Sequence, residues 1–142
     1  MATYPFNKFR YKVDIPDLGV AGFSEVTGFD ASIDVIEYRN GDEKPPTPAK
    51  LPGLRKYSNV TFKWGVTESK AVYEWFAEWM DKSSERKDVT VTLLDDEDAE
   101  QAAWTITAAW PVKYTAPEFN ATSSEVAIEQ VEVAHEGLKR TK

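Results

Sequence analysis

Apolar and polar residues alternate along most of this chain at the two-residue period of an extended strand, and a single interval departs from it to the helical period. In Asn59-Val60-Thr61-Phe62-Lys63-Trp64-Gly65-Val66, the side chains of Val60, Phe62, Trp64 and Val66 share one face, with Thr61 and Lys63 on the other. Phe9, Tyr11, Val13 and Ile15 alternate with Lys8, Arg10, Lys12 and Asp14, which predicts a half-buried strand ending near Pro16-Asp17. Leu18 to Gly22 reads as a flexible link, and extended structure restarts from Phe23 to Phe29 with Gly28 as a bulge or bend. Ala31 to Tyr38 begins in alternation and slips by one residue at Val35-Ile36, the mark of a bulge or an exchange of faces. Val89, Val91 and Leu93 alternate with Thr90 and Thr92 in a short strand. Trp104, Ile106, Ala108 and Trp110 then give the longest clean pattern.

Pro111 requires that strand to end, bulge or lie at an edge, and Val112-Lys113-Tyr114 resumes it. From Glu125 to Ala134 the apolar residues occupy two phases, Val126 and Ile128 in one, Val131 and Val133 in the other. A bulge near Glu129-Gln130 reconciles them; without one, Ala127, Glu129, Val131, Val133 and His135 share a face. Leu138 to Lys142 reads as a frayed tail or a segment engaged in assembly.

The helical interval spans about residues 68–82. Val72, Trp75, Phe76, Trp79 and Met80 fall on one face, Thr67 or Ser69 is placed to cap the start, and Glu68 and Lys82 suit the two ends of the helix dipole. A stripe of aromatic and thioether side chains at this spacing is core packing, each large side chain contributing about 1.5 to 3 kcal/mol on burial. The helix is expected to lid a sheet.

Residues 39–57 carry four prolines and no usable period, so neither a helix nor a central strand is predicted there. Connections beyond about 12 to 15 residues in a compact domain are either disordered or functional. One reading is a solvated loop. The other is a long extended arm that orders against another copy of the protein, because Leu51, Leu54 and Tyr57 are apolar anchors that a solvated loop does not need. On the second reading the candidate contact residues are Arg39, Asn40, Asp42, Glu43, Lys44, Lys50, Leu51, Leu54, Arg55 and Tyr57.

Extended segments with one helical interval make the chain mainly β, and 142 residues fit a single domain over 1–142 that buries about two thirds of its unfolded surface. The chain has no cysteine, which removes disulfides and thiolate metal sites and agrees with assembly in a reducing cytoplasm. Its first residues lack the apolar core of a signal peptide, and no apolar run is long enough to cross a bilayer, so a soluble protein without a membrane segment is expected. A net charge of -7 argues against stable nucleic-acid binding, which needs clustered cations.

His135 is the only histidine, so nucleophile–base pairs have one possible base, and it sits in no catalytic motif; a structural role is expected. No phosphate-cradling glycine loop is present. The acidic run Asp95 to Glu100 lacks the spacing of a calcium loop and reads as a solvated hairpin tip. No enzymatic activity and no cofactor are expected.

Gly22-Phe23-Ser24-Glu25-Val26-Thr27-Gly28-Phe29, Ile36-Glu37-Tyr38-Arg39-Asn40-Gly41, Lys50-Leu51-Pro52-Gly53-Leu54 and Val60-Thr61-Phe62-Lys63-Trp64-Gly65 resemble, in order and spacing, the tail tube family of contractile phages and of phage-derived contractile injection systems. Ala109-Trp110-Pro111-Val112-Lys113-Tyr114, Glu125-Val126-Ala127-Ile128-Glu129 and Ala134-His135-Glu136-Gly137-Leu138 are similar to its C-terminal half. The resemblance implies a β-sandwich or barrel-like fold with one flanking helix. It implies homo-hexameric rings stacked into a hollow inner tube, enclosed by a contractile sheath, bounded by baseplate or hub and terminator proteins, and driven through a target envelope.

Luminal cargo would be protein effectors, or DNA in a phage, with the injection-system branch favoured. Assembly would take place in the bacterial cytoplasm, as part of a tail-like particle that is released or acts at the target envelope. Residues 39–57 would be the inter-ring element, and strands 33–38 and 59–66 would contribute to the lumen wall. A monomeric β-sandwich binding module, using exposed Trp and Tyr to stack on carbohydrate or to bind protein, is the alternative.

Overall fold

The computed structural model describes residues 10–16, 18–21, 23–38, 41, 49–66, 70–82, 85–122 and 125–142. Along them run β1 (Tyr11–Ile15), β2 (Gly19–Ala21), β3 (Glu25–Thr27), β4 (Ala31–Tyr38), β5 (Ala49–Tyr57) and β6 (Val60–Gly65). The helix α1 (Ala71–Asp81) follows, then β7 (Lys87–Leu94), β8 (Glu100–Thr115), β9 (Ile128–Ala134) and β10 (Gly137–Arg140). The architecture is mainly β with one helix.

An eight-stranded antiparallel sheet has the order β2-β1-β7-β8-β9-β6-β3, with β10 also paired to β8, while β4 and β5 form a separate two-stranded ribbon. β8 organises the sheet. Its first ten residues pair with β7, Trp104 to Thr107 pair with β10 on the other edge, and Trp110 to Thr115 pair with β9. The sheet curls about that strand so that the segment leading into β3 approaches β1, where the Tyr11 hydroxyl donates to the Phe23 carbonyl at 2.8 Å. The enclosed core holds Val13 and Ile15 from β1, Val60 and Phe62 from β6, Val89, Ile106, Val131 and Val133. α1 closes it with Val72 and Trp75. Burial of these side chains is the main stabilising term of the fold, at about 25 cal/mol per Å² of apolar surface.

The change of partner along β8 requires a local break in the pleat. Ala108 has φ of 52°, left-handed backbone that a side chain disfavours, and its N–H donates to Asp88 Oδ1 at 3.0 Å. A second register shift, between Pro111 and Lys113, carries the chain past a residue without an N–H. The strand therefore continues through Pro111 by bulging.

Several sequence expectations are corrected. The segment 39–57 is not a loop throughout, because Ala49–Tyr57 is strand β5, whose ladder is supplied by β4 in spite of Pro52. The link at 18–22 contains β2, antiparallel to β1. The tail is not frayed over 137–140, which form β10 against β8. β9 pairs with β6 without interruption, so there is no bulge near Glu129 and Gln130. Val131 and Val133 point inward, leaving Val126 exposed ahead of the strand. Thr92 is buried, although alternation placed it outward, opposite the equally buried Ala103.

The helix covers 71–81 rather than 68–82. Its N-cap is Lys70, with no side-chain capping bond, and the expected caps Thr67 and Ser69 lie outside the described residues, as does Glu68. Trp79 stacks on Trp110 with ring centroids 5.1 Å apart, and the step of about 100° to the next residue carries Met80 off the sheet to 73% exposure. Val66 follows the last paired residue of β6 and is likewise exposed.

Candidate functional site

β3 and β6 pair as far as Thr27 and Thr61, and β4 and β5 resume the same antiparallel pairing from Ala31 and Tyr57. The two pairs are one long hairpin with a bend between them. Below the bend it is embedded in the large sheet, since β6 also pairs with β9. Above the bend it is a ribbon whose two outer edges carry no strand among the described residues.

Gly28 and His135 set the bend. Gly28 has φ of 99°, and a Cβ built on it would stand 2.3 Å from the Asn59 carbonyl oxygen, so the two backbones cross where only glycine fits. On the other side, His135 Nε2 lies 3.0 Å from the Ser58 carbonyl and Nδ1 lies 3.1 Å from that of Gly137. The imidazole bridges the base of the ribbon to the turn between β9 and β10, and Tyr57 packs its ring 5.6 Å away. The lone histidine is bound into the scaffold, as its place outside any motif led us to expect.

In the ribbon, Ile33 faces Arg55, Val35 faces Pro52, Ile36 faces Leu51, Glu37 faces Lys50 and Tyr38 faces Ala49. Between Ile33 and Val35 the register shifts, so that β5 spends two residues, Gly53 and Leu54, against Asp34. The bulge's extra residue is on β5, and β4 runs through Val35 and Ile36 without interruption, so the slip read there is an exchange of faces. Consecutive apolar residues on a strand point to opposite faces, so Ile33 and Val35 lie on one side and Ile36, Tyr38 and Leu51 on the other. All of them are at least half exposed or close to it, and Leu54 is 73% exposed. Apolar residues lie on both faces of the ribbon, and its outer edges carry no strand among the described residues. Lys56 and Asp34 form an ion pair at 3.0 Å along it.

Of the residues predicted from sequence, Lys50, Leu51, Leu54, Arg55 and Tyr57 are gathered on β5. Arg39, Asn40, Asp42, Glu43 and Lys44 lie outside the described residues. Ile33, Val35, Ile36 and Tyr38 stand beside this group on β4, in the strand that the resemblance assigned to the lumen wall and not to the contact set. The double apolar step at Val35-Ile36 was their signal.

Elsewhere the polar side chains are occupied in holding turns. Asp95 Oδ1 accepts from the N–H groups of Glu97 and Ala99, and Oδ2 accepts from Gln101 Nε2. These bonds, that from Ala99 foremost, hold the Asp95 carboxyl below its ordinary value of 3.8 against a smaller desolvation effect. Lys12 does the same for Glu100, 2.6 Å away, and Arg10 pairs with Asp98. The acidic run is the solvated hairpin tip between β7 and β8.

The Tyr114 hydroxyl donates to Glu129 at 2.5 Å; burial, together with that carboxylate, pushes its pKa up to about 12. None of the five tryptophans is exposed. Arg86 and Arg140 stand 5.6 and 5.3 Å over the rings of Trp110 and Trp104, each covering one face of its indole. No helix among the described residues is long and apolar enough to cross a membrane.

A family model described as T4-like virus tail tube protein gp19 matches residues 7–139. No curated protein matches the sequence. Among solved structures, a chain of the sheath–tube complex of an extracellular contractile injection system, PVC, in its extended state is 28% identical, with TM-score 0.89 over 97% of this chain and 92% of that one. A chain of the tube-terminating cap of the anti-feeding prophage, AFP, is 30% identical, with TM-score 0.90 over 99% and 93%. Hcp1 from Flavobacterium johnsoniae, 19% identical with TM-score 0.59 over 94% and 95%, shares the fold.

Proposed function

Because this chain belongs to the T4-like virus tail tube protein family, we propose that its copies join into hexameric rings that stack as the hollow inner tube of a contractile injection system. The role is structural and involves no catalysis. A surrounding sheath contracts and drives the tube through a target envelope, a terminating cap and a baseplate bound its ends, and the lumen carries cargo. The chain acts as one tube domain over 1–142, built in the bacterial cytoplasm into a particle that acts outside the cell. Similarity at 28% and 30% identity to chains of the PVC and AFP particles favours the injection-system branch, with protein effectors as cargo, over a DNA-passing phage tail.

The observation that carries this reading is the β4–β5 ribbon. Its free edges and its two apolar faces have no use in an isolated molecule and would be satisfied by neighbouring copies. Lys50, Leu51, Leu54, Arg55 and Tyr57, together with Arg39, Asn40, Asp42, Glu43 and Lys44, form the inter-ring contact. Each added backbone hydrogen bond is worth only about 1 kcal/mol, but a stacked lattice repeats it in every protomer. Deleting residues 42–48 should leave a folded chain that makes no tubes by negative-stain microscopy. Tubes of wild-type length from that variant would reject the assignment.

A further inference from the structure

His135 is the only histidine of the chain, and both of its ring nitrogens meet carbonyl oxygens, that of Ser58 at 3.0 Å from Nε2 and that of Gly137 at 3.1 Å from Nδ1. A carbonyl oxygen can only accept. A neutral imidazole carries one N–H and one lone pair, so it donates to one of the two and turns a lone pair on the other. Exchanging the tautomer only moves the mismatch from one carbonyl to the other. The imidazolium carries two N–H groups and satisfies both.

The charged groups around the ring are otherwise engaged. Glu136, in the same turn, pairs with Arg86 at 2.9 Å, and Glu132 on β9 accepts from Asn59 Nδ2 at 3.3 Å. Lys56 on β5 pairs with Asp34 at 3.0 Å, and Asp88 on β7 accepts from the Ala108 N–H at 3.0 Å. β8 places the uncharged Ala108 and Ala109 opposite the turn, and Tyr57 packs its ring 5.6 Å from the imidazole.

We propose that His135 is a proton-operated latch on the β4–β5 ribbon: protonated, it ties Ser58 at the base of the ribbon to the β9–β10 turn, and without that proton it releases Ser58. The Gly137 contact closes over two residues of one turn, whereas the Ser58 contact joins positions 77 apart and holds an arm. The local bond therefore keeps the remaining N–H, and the Ser58 bond is the one that opens. The backbone crossing of Gly28 and Asn59 remains the point about which the ribbon then turns. The closed arrangement holds one proton more than the open one, so acid closes the latch and alkali opens it. Where the ribbon carries the contact between rings, cohesion of the rings should weaken as the proton leaves. That consequence rests on the tube reading; the latch itself does not.

The chain has no cysteine, so spin labels on Lys50→Cys in the ribbon and Lys113→Cys in the body, both exposed positions, report one distance in the dissociated full-length chain. From about pH 8 to about pH 5, the range over which a histidine gains its charge, the distance distribution should sharpen. The population outside its main peak should fall about fivefold, the equilibrium weight of one ordinary hydrogen bond. His135→Gln, whose amide donates from one nitrogen at either pH, and His135→Phe, which donates nothing, should each give the same distribution at both. With a single imidazole in the chain, the nitrogen NMR spectrum of the wild type reads its protons directly, and two N–H groups in acid and Nδ1–H alone in alkali are expected. An unchanged distribution in the wild type, the same sharpening in either variant, or a neutral ring that keeps its proton on Nε2 would overturn the proposal. Absence of tubes from the wild-type chain at every pH would instead reject the tube reading and leave these measurements standing.

Discussion

Gly28 and Asn59 are backbone neighbours at the bend of the long hairpin, so close that a methyl group on Gly28 would stand 2.3 Å from the Asn59 carbonyl oxygen. Gly28→Ala therefore combines a left-handed backbone with a backbone clash that no side-chain rotation relieves. A loss of about 2 to 4 kcal/mol in denaturant unfolding is expected. A loss below about 0.5 kcal/mol, within the range of ordinary surface changes, would show that the bend relaxes freely.

Ala108 makes the opposite case. Its φ of 52° is tolerated with a side chain present, so Ala108→Gly should stabilise by about 1 kcal/mol as the left-handed penalty is removed. Asp88→Ala should destabilise by about 1 kcal/mol, through the lost acceptor for the Ala108 N–H. Thermal melting of the two variants and of their combination tests both, and a stabilising Asp88→Ala would contradict the role given to that bond.

Tyr114 predicts an alkaline limb. Its folded-state pKa is raised from the ordinary 10.0 to about 12, so the neutral phenol is favoured by folding. That stability is fully present below pH 10.0 and is lost as pH rises towards about 12. Tyr114→Phe should flatten the stability curve across that window, and an unchanged alkaline limb in the variant would assign the effect elsewhere.

Asp95 governs the acid side with the reverse sign. Its carboxyl is held below 3.8, so the stabilisation is present above that pH and disappears as pH falls through the lower folded-state value. Asp95→Asn should unfold with a weaker pH dependence below 3.8 than the parent. The same dependence in both would show that the turn bonds do not discriminate between the two charge states.

Leu54 and Ile36 separate folding from assembly. Both are exposed on the ribbon, so Leu54→Ser and Ile36→Ser should change the stability of the dissociated chain by less than about 0.5 kcal/mol. Tubes should shorten or vanish. A large fall in stability with tubes intact would place these side chains in the folding core instead.

β6 was legible except at its end, where Val66 falls outside the strand, because Val60, Phe62 and Trp64 meet one core on one face and the rule of alternation describes that situation. β5 was hidden for the converse reason. Pro52 and Gly53 interrupt the period, and with apolar residues on both faces it owes its strand conformation to the partner β4. Gly137–Arg140 is too short to carry a pattern and is defined by Trp104 to Thr107 beside it. The helix stripe was visible, but Met80 shows that periodicity fixes a face without fixing how far the supporting surface extends. At the ribbon, Leu51, Leu54 and Tyr57 stood out as apolar residues without a local purpose. Ile33 and Val35 did not, because a strand with a regular face resembles a core strand until its neighbours are known.

β8 belongs to both parts of the folded body, giving its first ten residues to β7 and its last six to β9. Neither part can melt and leave the other with a finished edge, because the thread they share would have to be stripped from one side while still bound on the other. Heat or denaturant should meet a single all-or-none transition, and a protomer under axial load should respond as one solid piece.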